Sequence, residues 1–137
     1  MEQIRKSKKQ NVIILLCCAC LYCLNRFWLK KAIQLPVIGY VLRCHFNDFL
    51  AGIAILAYIN VLLSISKYHE KLVATYSKGF IISFLCGLIW EYFLPMFFSH
   101  GTSDFVDVIS YVLGGITYIG LTRIIWYRTM YKRKDKL

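Results

Sequence analysis

The sequence predicts an all-α fold: an integral membrane bundle of four transmembrane helices, with a short interfacial or re-entrant helix in the first outer loop. Three observations carry that expectation. Of 137 residues, 58% are apolar and 16% aromatic, more than the interior of a chain this short can hide from water. The mean hydropathy is +0.55. The apolar residues also fall into four runs, each near the roughly 20 residues that cross a hydrocarbon core of about 30 Å.

The first run begins after a basic segment, residues 1–10, carrying Arg5, Lys6, Lys8 and Lys9 against Glu2. A charged start and an apolar middle resemble a signal peptide. However, Asn25-Arg26-Phe27-Trp28 offers no small-residue cleavage site, so a retained helix over 11–29 is expected. Arg26 and Trp28 suit an interface, by snorkelling and by aromatic preference. Leu35 to Leu42 is apolar but too short to span, and Pro36 fits a helix's first turn; this is the short helix of the first outer loop. The second span is expected over 49–66, broken only by Asn60. The third covers 79–98, with Glu91 and Pro95 inside it. The fourth covers 105–127, with Asp107 and Arg123 towards opposite ends, and a basic tail follows at 128–137. One membrane domain, 1–137, accounts for the whole chain.

The net charge of +10 would suit nucleic acid, but its placement does not. Arg5, Lys6, Lys8, Lys9, Lys67, Lys71, Lys78, Arg123, Arg128, Lys132, Arg133, Lys134 and Lys136 gather on one side of the spans, and only Arg26, Lys30, Lys31 and Arg43 on the other. The richer side is expected to be cytoplasmic, with both termini there, in a plasma membrane. Membrane lipids are the partners this implies; nucleic acid is excluded. Six cysteines, Cys17, Cys18, Cys20, Cys23, Cys44 and Cys86, lie mostly inside apolar runs and read as packed or lipid-facing side chains rather than metal ligands or disulfides.

Four carboxylates at helix ends carry the unusual chemistry: Asp48, Glu91, Asp104 and Asp107, all on the expected outer side. Ionisable groups at membrane depth are costly and tend to be paired, cavity-facing and functional. Glu91 lies about 10 Å below the outer end of its helix, at 1.5 Å per residue. Gly79, Ser83, Gly87, Glu91 and Pro95 recur every fourth position and form one stripe, whose small members admit a close neighbouring helix. Pro95 has no N–H for the Glu91 carbonyl, so a free backbone oxygen beside that carboxylate is expected. Asp104, after Thr102 and Ser103, reads as an N-cap. Asp107 shares a face with Tyr111, Gly114 and Tyr118, and Ser110 with Gly114 forms a small pair that can pack on the third helix and bring Asp107 towards Glu91. Asn47 and Asp48 open the second helix, where capping alone accounts for them. Arg43 and His45 just before can pair with the outer acids. His45, His100 and the acids match no metal motif by spacing, and no cofactor is expected. Phosphate loops, dinucleotide fingerprints, nucleophile elbows and zinc-protease motifs are all missing from the sequence.

The pattern His45-x-Asn47-Asp48, Glu91-x-x-x-Pro95 and Asp104-x-x-Asp107-x-x-x-Tyr111-x-x-Gly114-Gly115 resembles the small bacterial VanZ-like membrane proteins, over about Arg43 to Gly120. Where that family commonly has Gln or Arg in the third outer connection, this chain has Phe98-Ser99-His100-Gly101-Thr102. The resemblance implies Glu91, Asp104 and Asp107 as family-like acids, a bacterial cell-envelope setting and a link to glycopeptide-antibiotic resistance. The function expected is non-enzymatic: an outward acidic pocket recognising a lipid-linked or cationic envelope component, built from Glu91, Asp107, Asp104, Asp48, His45, Asn47, Arg43 and Tyr111. A small ion-coupled transporter is the first alternative, and a chain this short would need to be a homo-oligomer for it. A membrane hydrolase is the second, with no nucleophile–base pair visible in the spacing.

Overall fold

The computed structural model describes residues 2–33, 36–66, 68, 71–97 and 104–134, with side chains from 7 to 125. All of its regular structure is helical. Helix α1 (Glu2–Leu24) runs into a π turn (Asn25–Leu29) and a last helical turn (Lys30–Ala32). Helix α2 is the short Pro36–Cys44, α3 is Phe46–Ile65, and α4 (Tyr76–Leu88) passes through a second π turn (Ile89–Phe93) into Leu94–Phe97. Helix α5 is Phe105–Lys134. Four stretches are long and apolar enough to cross a membrane: Ser7–Ala32, Phe46–Ile65, Tyr76–Phe97 and Phe105–Ile125. They overlap the four expected spans, and the short α2 lies where Pro36 placed it.

Packing orders the helices as α1, α3, α5, α4, with α5 between α3 and α4. The core is thin: Leu50, Ile53, Leu56 and Ala57 of α3 meet Tyr118 and Ile119 of α5, and Cys18 of α1 joins them. No span has more than 39% of its most apolar window buried inside the protein, and Phe27, Ile81 and Met96 are exposed. An apolar outer surface of this extent is stable in lipid and not in water. The chain is a multi-pass membrane protein.

Close approach holds the bundle together, as expected where lipid offers no hydrophobic force between helices. Helices α3 and α5 cross backbone to backbone. A Cβ on Gly52 would run into the Tyr111 carbonyl oxygen, and one on Gly114 into that of Phe49. The α4 stripe of Gly79, Ser83 and Gly87 is buried and faces α5 at Ile119, Gly115 and Val108 respectively. Gly114 therefore packs on α3, not on the stripe as the Ser110–Gly114 pair suggested; its neighbour Gly115 takes the stripe. The two glycines, 100° apart, turn one helix towards two partners.

At the end where Arg123 lies, a buried polar chain replaces apolar packing. The Tyr118 hydroxyl donates to Asn11 Oδ1 at 2.6 Å and accepts from Asn60 Nδ2 at 2.6 Å. Asn60 also pairs with the backbone of Val73, donating to its carbonyl at 3.0 Å and accepting from its N–H at 2.7 Å. Three helices and the α3–α4 connection are thus joined by one tyrosine and two asparagines. That connection then enters α4 through Thr75, whose hydroxyl accepts from the Lys78 N–H.

Candidate functional site

The antiparallel run of the spans brings the end of α1, α2, the start of α3, the end of α4 and the start of α5 to one end of the bundle. His45 sits at the α2–α3 junction, buried, with the Tyr40 ring edge-on at 5.4 Å between centroids. Its Nδ1–H donates to Asp107 Oδ1 at 2.6 Å. Asp107 lies one turn into α5, its N–H reaching the Asp104 carbonyl at 3.2 Å. Asp104 caps α5, its Oδ1 accepting the Val106 N–H at 2.9 Å, and its own N–H is directed at the Glu91 carboxylate. Glu91 is buried in the second π turn. The Asp48 carboxyl faces that of Asp107, and Tyr111, also buried, lies within electrostatic reach of Asp48, Glu91 and Asp107.

Six of the eight residues singled out from the sequence therefore converge: His45, Asp48, Glu91, Asp104, Asp107 and Tyr111. Asn47 takes another role. It does not cap α3; its Oδ1 accepts from Asn25 Nδ2 at 2.9 Å, and the same Asn25 amide donates to the Leu42 carbonyl at 2.9 Å. Asn25, wholly buried in the first π turn, thus ties α1 to both sides of the His45 junction. Arg43 turns away from the acids: its Nε donates to the Gly39 carbonyl of its own helix at 3.0 Å, while Lys30 Nζ reaches the Arg43 carbonyl at 2.8 Å. An intrahelical carbonyl four residues back lies within reach of the arginine without crossing to α5. The histidine alone, not the arginine, makes the expected pairing. His100 lies outside the described residues.

The π turn also alters the expected backbone oxygen. Leu94 bonds five residues back, to the Ile89 carbonyl, and in that register the donor that Pro95 lacks is owed to Trp90 rather than Glu91. The widened turn carries the buried Glu91. Single π turns inside α-helices recur at functional sites, and here both of them lie at the end that holds the acids.

No family model, no curated protein and no solved structure matches this chain.

The electrostatics are lopsided. Among the described residues the single ion pair is His45–Asp107, and none of Asp48, Glu91 or Asp104 meets a lysine or arginine. His45, Asp104 and Asp107 each offer one donor atom, all within 4.8 Å of one another. A cluster that gathers carboxylates around one imidazole at the ends of the spans can hold a cation, orient an amine, or use the Asp107-backed imidazole as a base.

Proposed function

We propose that this chain is a VanZ-like, non-enzymatic protein of the bacterial cell envelope. Its acidic end faces outward from the plasma membrane and recognises a cationic or lipid-linked envelope component. The observation that carries this reading is the convergence of His45, Asp48, Glu91, Asp104 and Asp107 from three separate helical segments, without a lysine or arginine among them. Assembling unneutralised carboxylates in a thin-cored membrane protein costs stability, and a cationic ligand recovers that cost on binding. Lys30 and the exposed Arg26 and Arg43 lie at the same end and suit a lipid phosphate, leaving the acids to the cation or amine. Outward orientation follows from the excess of lysine and arginine at the opposite end.

The experiment is Glu91→Gln, which removes a charge and keeps the shape. A folded variant at wild-type abundance that loses protection against glycopeptide antibiotics supports the reading. Unchanged susceptibility of cells carrying that variant ends it.

The His45–Asp107 pair supports a second reading, a membrane hydrolase in which Asp107 orients His45 as a general base towards water. Incubating envelope lipids with the purified protein separates the two by mass spectrometry: turnover products under the second reading, retained intact lipid under the first.

A further inference from the structure

We infer that His45, Asp104 and Asp107 form a site for one divalent transition-metal ion of zinc-like preference. The inference deepens the reading above by naming the cation, and rests on it for the assignment of this end of the bundle as the working end. Three features of different origin converge here. The donor set is one imidazole and two carboxylates, with all three donor atoms within 4.8 Å of one another. Ligands about 2.0–2.2 Å from zinc lie about 3.4 Å apart in a tetrahedron, so rotations of Asp104 and Asp107 by an ångström or so at the carboxylate complete the geometry. The 2.6 Å His45–Asp107 contact already sets two donors on a common point, and the metal takes the place of the shared proton. Finally, two carboxylates balance the charge of a divalent ion, with the imidazole neutral.

The surroundings are those of a metal centre. Asp104 has one oxygen held by the Val106 N–H, which orients the carboxylate and leaves the other oxygen for coordination. The Asp104 N–H is directed at Glu91, so this buried acid ties the second π turn to the backbone of a ligand residue. Tyr40 packs edge-on against the His45 ring and limits its rotation. An imidazole among the ligands favours zinc and its transition-metal neighbours over magnesium and calcium, which prefer all-oxygen sites. Three protein ligands leave the fourth tetrahedral position for water or for an oxygen of the ligand, the arrangement of zinc sites that act on or bind a further molecule.

The test uses the full-length, tag-free chain in detergent, stripped with a chelator; one metal-free sample is dialysed against zinc and another is titrated with cobalt. One equivalent of zinc per chain is expected. Cobalt should give weak visible bands without the intense near-ultraviolet absorption of thiolate ligation, which separates this site from the six cysteines. Asp107→Asn and Asp104→Asn are each expected to weaken binding at least tenfold while eluting as the wild type does in size exclusion. Absence of stoichiometric zinc in the wild type overturns the proposal, as does thiolate absorption with cobalt or binding in both variants as tight as in the wild type. Its failure is distinguishable from that of the envelope reading. Zinc bound normally with antibiotic susceptibility indifferent to Glu91→Gln removes the envelope reading and leaves the metal site. A susceptibility effect with no metal bound does the reverse.

Discussion

Replacing Tyr118 with Phe removes one oxygen atom from the centre of the bundle and leaves the ring in place. The hydroxyl is fully buried and makes two hydrogen bonds of 2.6 Å, one to α1 and one from α3. Interhelical hydrogen bonds in membrane proteins contribute on average about 0.6 kcal/mol each, so the two sum to about 1.2 kcal/mol. The losses on the partners are unequal. Asn60 keeps both of its bonds to Val73, whereas the buried Asn11 Oδ1 loses its donor, which adds about 1 kcal/mol. Tyr118→Phe should therefore destabilise the bundle by about 2 kcal/mol, a change of about thirtyfold in the folded-to-unfolded ratio. Reversible unfolding in mixed micelles measures this. Asn11→Ala combined with Tyr118→Phe should cost clearly less than the two separately, because both remove the same bond. A loss below about 0.5 kcal/mol for the single variant, or strict additivity in the double, would refute the assignment of this network as the tie between α1, α3 and α5.

Gly52→Ala and Gly114→Ala each place a methyl group against a carbonyl of the facing backbone, and a cost of about 1–3 kcal/mol or more is expected, read as a lower thermal midpoint in detergent. Gly120→Ala, whose nearest neighbour is the Tyr76 hydroxyl at 3.8 Å, should leave that midpoint within error and serves as the control. Exposed Cys44 should be modified by a membrane-impermeant maleimide applied outside intact cells, with labelling abolished by Cys44→Ser; protection until the cells are opened would invert the orientation. Pro95→Ala restores an N–H after the second π turn, so this turn should tighten towards α register and swing Glu91 out of the cluster. The readout is weaker zinc binding without loss of helix content by circular dichroism.

The spans were legible because length and apolarity suffice to place a segment in lipid, and no tertiary detail can override an exposed run such as Val12 to Leu24. The gathering of Asp48, Glu91, Asp104 and Asp107 was legible for a related reason: once the helices alternate in direction, residues near alternate helix ends must meet at one end. Side-chain destinations were less so. Arg43 and His45 are two residues apart with equal claims on the acids, and the choice fell to the one that a helix junction turns inward. Asn47 looks like a cap in sequence, but Asn25, 22 positions earlier, claims its oxygen. The Asn11–Tyr118–Asn60 chain left only isolated polar letters at the edges and middle of apolar runs, a signal present in the sequence and readable once one asks where a buried amide in lipid finds its partner. The π turns had no signature beyond Pro95, since an inserted backbone residue is chosen by what the two halves of a helix must face.

Each π turn works as a phase shifter. It slips one extra residue into the helical count, so the stretch before it and the stretch after it address neighbours in different directions: α1 shows Cys18 and Asn11 to the core yet delivers Asn25 to the α2–α3 junction. Shortening either turn by one amino acid would yield a more regular rod whose far portion is rotated by about 100°. A single-codon deletion within 25–29 or within 89–93 should accordingly spare membrane insertion while disconnecting the two halves of the molecule, and a compensating one-residue insertion elsewhere in the same turn should reconnect them.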